Sequence, residues 1–314
     1  MTGAAGFIGS HICETLLDNG AHVFALDDMS AGRLSNVTPL ANHPNYNFVE
    51  GSVLESGTKM DELFTDLDTV FHNAATKKNI CLVDPSRDLD VNAGGTLNLL
   101  LHAKKHHIRK FVSASTGSVY GEPSIFPTDE DHPLRPVSYY GVSKLAGERY
   151  VDVFKSLYGM DTTILRYFHV YGPRQESNDF GGVVSIFVRN IAEGRSPQIF
   201  GDGNQVRSFT YVKDLAEINI RAATFPVSRG QVYNAASGIK VSIIELAQKL
   251  LRFANRRDLP IEFGDELLGD IMKFDIDNSR VCQDLDFEFQ TNFWETLAEV
   301  TSDVDGFLAL DARG

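Results

Sequence analysis

The stretch T-G-A-A-G-F-I-G, Thr2 to Gly9, decides how this chain folds. Its glycines at 3, 6 and 9 are spaced G-x-x-G-x-x-G, which lets the backbone turn tightly, approach a pyrophosphate and pack closely on the helix that follows. Phe7, Ile8 and Gly9 would open that helix with their N–H groups facing the anion. Residues 8 to 19 have helical spacing, Gly20 stops them, and His22 to Leu26 is a short apolar strand ending at Asp27-Asp28. Asp27 stands about 20 residues past the glycines, where an acid accepts from the ribose hydroxyls of an adenosine and repels a 2′-phosphate. The reading is a dinucleotide site that takes NAD rather than NADP; Asp28 reads as a turn residue. Such a fingerprint follows a buried strand, and only Met1 and Thr2 precede Gly3, so a first strand short by roughly five residues is expected.

The pattern continues with strands at 47 to 50, 69 to 72, 110 to 113 and 162 to 167, and helices near 58 to 65, 86 to 106 and 139 to 158. Strands alternating with helices predict a Rossmann-type α/β fold, a doubly wound parallel sheet. Beyond Phe168 the turn signals crowd together at Gly172-Pro173, Gly181-Gly182 and Gly201-Asp202-Gly203. The expected division is residues 1–167 for the NAD-binding domain and 168–314 for a smaller mixed α/β substrate-binding lobe, with about 205–236 returning to the first.

A chain of 314 residues, 43% hydrophobic and 23% charged, buries a sizeable core. Its net charge of -13 repels phosphate backbones, which argues against nucleic-acid binding. Cys13, Cys81 and Cys282 form no C-x-x-C and read as reduced thiols of a cytoplasmic protein. No metal site, membrane span or secretory signal is expected.

Tyr140 and Lys144, in Y-G-V-S-K, lie about 130 residues past the glycines. A phenol titrates near 10, so a tyrosine base near neutrality needs about 4 kcal/mol of phenolate stabilisation. A lysine four residues on shares its helix face, and its ammonium, with the positive nicotinamide, supplies that stabilisation. The same spacing arises on ordinary amphipathic helices, and Glu148 offers Lys144 a plain i,i+4 ion pair. The apolar strand that breaks into Ser113-Ala114-Ser115-Thr116-Gly117-Ser118 favours the catalytic reading, because hydroxyls there reach the oxygen that the tyrosine deprotonates. Turn chemistry remains the alternative for Ser113 and Ser118. Asn73-Ala74-Ala75, at a strand's carboxyl end, let a ligand lie against backbone.

In these stretches, together with L-D-D-M-S, D-V-N-A-G-G-T-L-N-L-L (90 to 100), R-Y-F-H-V-Y-G-P-R and F-G-D-G-N-Q-V-R-S-F-T-Y-V-K-D-L, the chain resembles the extended short-chain dehydrogenase/reductases of the nucleotide-sugar epimerase/dehydratase family. The resemblance implies Tyr140 as acid/base, Lys144 as its partner and a cofactor contact, and Thr116 as the substrate hydroxyl partner. It also implies cofactor contacts from Ser52, Val53, Lys77 and Tyr167, a buttress at Asn92, and a substrate site drawn from His169, Val183, Phe200, Arg207 and Phe274. Arg207 would hold the diphosphate, with a surface ion pair as its alternative. Phe274 would gate the sugar pocket, with core packing as its alternative.

Dehydrating relatives place an Asp-Glu pair after the catalytic hydroxyl, and decarboxylating ones a Glu two positions on. Here those positions are Gly117 and Ser118. The implied reaction is 4-epimerisation of a UDP-hexose through a 4-keto sugar. A dehydratase or reductase of another nucleotide sugar is the alternative, and a non-catalytic NAD-binding protein a further one. The chain departs from the family at His169, where Asn is usual, at Ser52, where an aspartate is usual, and at Leu267 and Met272, where a cation is expected; Lys273 is a candidate replacement. The resemblance also implies a homodimer through the 86–106 and 139–158 helices.

Overall fold

The computed structural model describes residues 1–76, 81–176, 181–266 and 272–301. Its main sheet is parallel. β1 (Val23–Asp27) pairs with β2 (Tyr46–Glu50), and β3 (Thr69–His72), β4 (Lys110–Thr116), β5 (Asp161–Tyr167) and β9 (Val232–Ala235) pair in that spatial order. Thr2 joins the two sets by parallel bridges to Leu26 and His72. Its N–H donates to the Phe71 carbonyl at 3.0 Å, and the Leu26 N–H donates to the Met1 carbonyl at 2.8 Å. The glycine turn therefore leaves from the middle of the sheet, where the strand order reverses and ligands of such sheets sit at the carboxyl ends.

All seven residues of β4 are buried, as a central strand covered on both faces requires. On one face the helices Phe7–Asp18 and Val212–Thr224 pack Ile12, Leu215 and Ile218 against Phe71, Val112 and Leu165. On the other, the helices Thr58–Phe64, Gly95–Lys105 and Tyr139–Tyr158 pack Phe64, Leu99 and Val151 against Val70, Phe111 and Ile164. The single helix expected over 86 to 106 is two, Pro85–Leu89 and Gly95–Lys105, joined by a π-helical turn at Asp90–Gly94. The extra residue per turn is a feature that side-chain periodicity does not encode.

A second layer system follows. β6 (Val170–Tyr171) runs parallel to β8 (Val206–Tyr211), β10 (Ile239–Ser242) pairs antiparallel with β8, and β7 (Gln198–Phe200) pairs with β11 (Glu262–Gly264). The helices Val183–Ala192, Ile243–Phe253 and Phe293–Thr301 close on Tyr171, Phe209 and Tyr211. The helix Val212–Thr224 and β9 lie with the main sheet, although they come late in the chain.

Candidate active site

A cavity of about 580 Å³ runs along the carboxyl ends of the main sheet. Gly3, Gly6, Phe7, Ile8 and Gly9 line one end. Gly3 has φ +68°, and a Cβ on it would lie 2.9 Å from the Ala74 nitrogen. A Cβ on Gly9 would lie 1.9 Å from the Gly3 carbonyl oxygen, so the turn and helix approach as only glycine permits. Gly6 caps the helix without a side chain, leaving its N-terminus to the cavity.

Asp27 completes this end. Its two carboxylate oxygens accept the Ala5 and Met29 N–H groups, each at 2.9 Å, which fixes its direction and leaves lone pairs for a ligand hydroxyl. Burial pushes its carboxyl up, while those two backbone N–H groups hold it down. A glycine cradle, an open helix N-terminus and an oriented acid fit NAD. Val53, Ala74 and Ala75 line the same cavity. Ser52 does not: its hydroxyl accepts the Leu54 N–H at 3.2 Å and its N–H donates to Glu55 at 2.8 Å.

The other end holds Thr116, Tyr140, Lys144, Tyr167 and His169. Thr116 terminates β4, and its hydroxyl accepts the Ser118 N–H at 3.2 Å. Ser138 caps the next long helix by accepting the Gly141 N–H at 3.1 Å, and Gly159 ends it with φ 65°. That start places Tyr140 in the first turn and Lys144 one turn on, the latter 4% exposed. Burial pushes the Tyr140 phenol up, with the nearby Cys81 and Asp88 adding to the effect and a hydrogen bond with Thr116 opposing it. Burial also pushes the Lys144 ammonium down to about 8, against the attraction of Glu148 and Asp88. In the chain alone, burial thus disfavours the charged form of both Tyr140 and Lys144.

A buried polar network supports this end. The Asn92 amide nitrogen shares its two hydrogens among Asp88 at 2.7 Å, Ser143 at 3.0 Å and Thr76 at 3.1 Å, and its carbonyl accepts the Thr76 N–H at 3.0 Å. Asn92 sits in the π-helical turn and ties it to the Tyr140 helix without lining the cavity. Glu148 turns to Arg166, not Lys144. Tyr167 donates to Asn219 at 3.0 Å.

Lys77 lies outside the described residues. Of the remaining expected substrate residues, Val183, Phe200, Arg207 and Phe274 do not line the cavity. Val183 packs against the lobe's own core, and Phe200 is exposed. Arg207 is buried in β8, donating to its neighbour Val206 at 3.3 Å. Phe274 is a core residue among Tyr120, Phe168 and Ile276, its ring 5.0 Å from that of His169, which does line the cavity. Lys273 reaches Asp275 at 3.5 Å and lies over the Phe126 ring. Arg87, Gln175 and Glu176 also line the cavity, and no motif marks them. D-P-S-R announces a helix start, with Asp84 accepting the Arg87 N–H at 3.0 Å, but not where the guanidinium points.

Comparison with known proteins agrees with this geometry. The sequence model of the NAD dependent epimerase/dehydratase family matches residues 1–236. The chain is similar to the UDP-glucose 4-epimerase of Mycolicibacterium smegmatis, 36% identical over 305 residues that cover 95% of this chain and 96% of that protein. Among solved structures it is similar to the UDP-glucose 4-epimerase of Thermotoga maritima with UDP-glucose, at TM-score 0.90 and 33% identity over 96% of each chain. It is similar too to the UDP-N-acetylglucosamine 4-epimerase of Methanobrevibacter ruminantium in complex with UDP-N-acetylmuramic acid, at TM-score 0.90 and 33% identity over 96% of each chain. With most of its length matched, a glycine cradle that fits NAD and a Tyr-Lys pair at the far end of the same cavity, the chain belongs to the NAD dependent epimerase/dehydratase family of enzymes.

Proposed function

We propose that this enzyme interconverts UDP-hexoses that differ at C4, UDP-glucose and UDP-galactose being the expected pair. One observation carries the reading: Thr116, Tyr140 and Lys144 share the cavity with the glycine turn, while the two positions after Thr116 are Gly117 and Ser118 instead of carboxylates. Loss of water from the sugar needs an acid and a base beside the hydroxyl, and neither position supplies one. The UDP-glucose 4-epimerases of M. smegmatis and T. maritima support the same choice.

In this reading Thr116 hydrogen-bonds the C4 hydroxyl and Tyr140 receives its proton. Lys144 stabilises the phenolate that must form for that transfer. The chemistry supplied by NAD when bound is hydride transfer from C4 and back to it. Between the two transfers the sugar is a 4-ketone, and Tyr140 returns the proton when the hydroxyl re-forms on the other face. Substrate and product then differ only in configuration, so no external reductant is consumed. Asp27 and the turn at Gly3, Gly6 and Gly9 would hold the adenosine and pyrophosphate, with Val53, Ala74, Ala75 and Tyr167 along the rest of the cofactor. His169 is the proposed substrate contact, backed by Phe274.

The proposal extends to a homodimer through the helices Gly95–Lys105 and Tyr139–Tyr158, whose Leu101, Val142, Val153 and Leu157 are exposed. It also extends to a cytoplasmic location, supported by three cysteines of which none forms a disulfide.

The test is incubation of purified enzyme with UDP-galactose and no added cofactor, following C4 inversion by proton NMR. Inversion by the wild type is expected, with a loss of about 100- to 10,000-fold in Tyr140→Phe. Undiminished turnover in Tyr140→Phe would sink the mechanism. Product formation that requires added NAD(P)H would replace the epimerase with a reductase.

A further inference from the structure

We propose that Asp61, His102 and His106 form a binding site for one divalent transition-metal ion of the zinc type, outside the catalytic cavity, whose lining contains none of the three. His102 lies in the last turn of the Gly95–Lys105 helix and His106 is its C-cap. The i,i+4 spacing sets both imidazoles on one face. Asp61 faces them from the Thr58–Phe64 helix. His102 Nδ1 and His106 Nε2 each lie 3.0 Å from the same carboxylate oxygen, Oδ1, and the three ligand atoms lie within 4.8 Å of one another.

Two imidazole nitrogens and one carboxylate oxygen are a donor set for zinc, with metal–ligand distances of about 2.0–2.2 Å, so the three atoms would have to draw together around the ion. The side chains of His102, His106 and Asp61 are 11%, 19% and 28% exposed, so an ion reaches them from solvent and water supplies the fourth ligand. The buried Phe64 ring stands 5.5 Å from the His102 ring and 6.1 Å from the His106 ring, an apolar wall that orients both. Lys105 holds the other carboxylate oxygen, Oδ2, at 2.6 Å, which leaves Oδ1 to the ion. Its ammonium, on a side chain 61% exposed, opposes the metal's charge and weakens binding without blocking it. A bound ion would tie the helix after β2 to the helix before β4 and favour the folded state.

Chelator-treated wild-type protein is titrated with zinc chloride by isothermal calorimetry, beside His102→Gln, His106→Gln and Lys105→Gln, with UDP-hexose turnover as the check on folding. One zinc per chain is expected. Loss of a direct ligand should weaken binding at least as much as loss of an outer partner does, about 10-fold or more, whereas Lys105→Gln tightens it. Absence of binding at millimolar zinc, or wild-type affinity in either histidine variant, would overturn the site. Should the histidine variants fail to fold, zinc-edge anomalous scattering from zinc-soaked wild-type crystals decides. A peak among Asp61, His102 and His106 supports the site, and adventitious peaks elsewhere alone reject it.

Discussion

Arg166 grips both carboxylate oxygens of Glu148, Nη2 to Oε2 at 2.8 Å and Nε to Oε1 at 3.0 Å, and so takes the acid that stands one helical turn past Lys144. Both side chains are buried, and Ser115 donates to the same carboxylate at 2.5 Å. Arg166 also donates to the Tyr120 hydroxyl at 2.8 Å, and Tyr120 donates in turn to Asn234 at 2.6 Å. No hydrogen bond or ion pair joins Lys144 to Glu148 among the described residues; the lysine lines the cavity instead.

Breaking this pair from one side leaves a buried charge uncompensated. Arg166→Ala is expected to destabilise the protein by about 3–5 kcal/mol, read as a lower denaturant midpoint. A loss below about 1 kcal/mol, the range of exposed ion pairs, would show that water reaches Glu148.

Lys144→Met should separate stability from activity. The folded-state value, about 8, lies below the ordinary value of 10.5, so below pH 8 the fold carries the cost of a buried ammonium. That cost shrinks as pH rises from 8 and is gone above 10.5, where the unfolded chain has also lost its proton. At pH 7 the variant should be more stable by an amount on the order of 3 kcal/mol, while turnover falls steeply. Thermal melts at pH 7 and pH 11 check the sign: the gain should vanish at the higher pH.

Gly9→Ala forces a methyl group to within 1.9 Å of the Gly3 carbonyl oxygen. Overpacking of this kind costs about 1–3 kcal/mol, and moving the turn also misplaces the helix N-terminus. Purified variant protein should therefore carry much less NAD than wild type when bound nucleotide is released and quantified. Full retention would mean that the turn and helix separate without harm.

Asp214 gives a pH-dependent stability of known sign. Burial pushes its carboxyl up to about 6, against the Gln290 N–H that donates to it at 2.7 Å. A raised acid favours the fold fully below its unfolded value of 3.8, and this advantage is lost as pH rises through 6. Asp214→Asn keeps an acceptor for Gln290 and removes the charge. Its melting temperature should exceed that of wild type at pH 7 and match it near pH 4; equal values at both would show an ordinary, solvated carboxyl.

The spacing of Gly3, Gly6 and Gly9, the acid at Asp27 and the Y-x-x-x-K pair were legible because each is a local demand of chemistry: a tight turn, a hydroxyl acceptor, two side chains one turn apart. The alternation of strands and helices was legible for the same reason, since burial on both faces of a parallel sheet writes itself into short apolar runs. The surroundings of Phe274, Arg207 and Ser52 were not, whatever their part in binding. Whether an aromatic ring gates a pocket or fills a core, and whether a guanidinium faces a ligand or its own strand, depends on packing between segments far apart in the chain. The same holds for the partner of Glu148 and for the meeting of Asp61 with His102, 41 residues later. The sequence by itself determined the alternation of strands and helices, the glycine turn, and the placing of Tyr140 and Lys144 one turn apart on a helix. Only the tertiary structure decided which buried charges pair and which side chains meet, because those choices depend on distances between segments that local patterns do not encode.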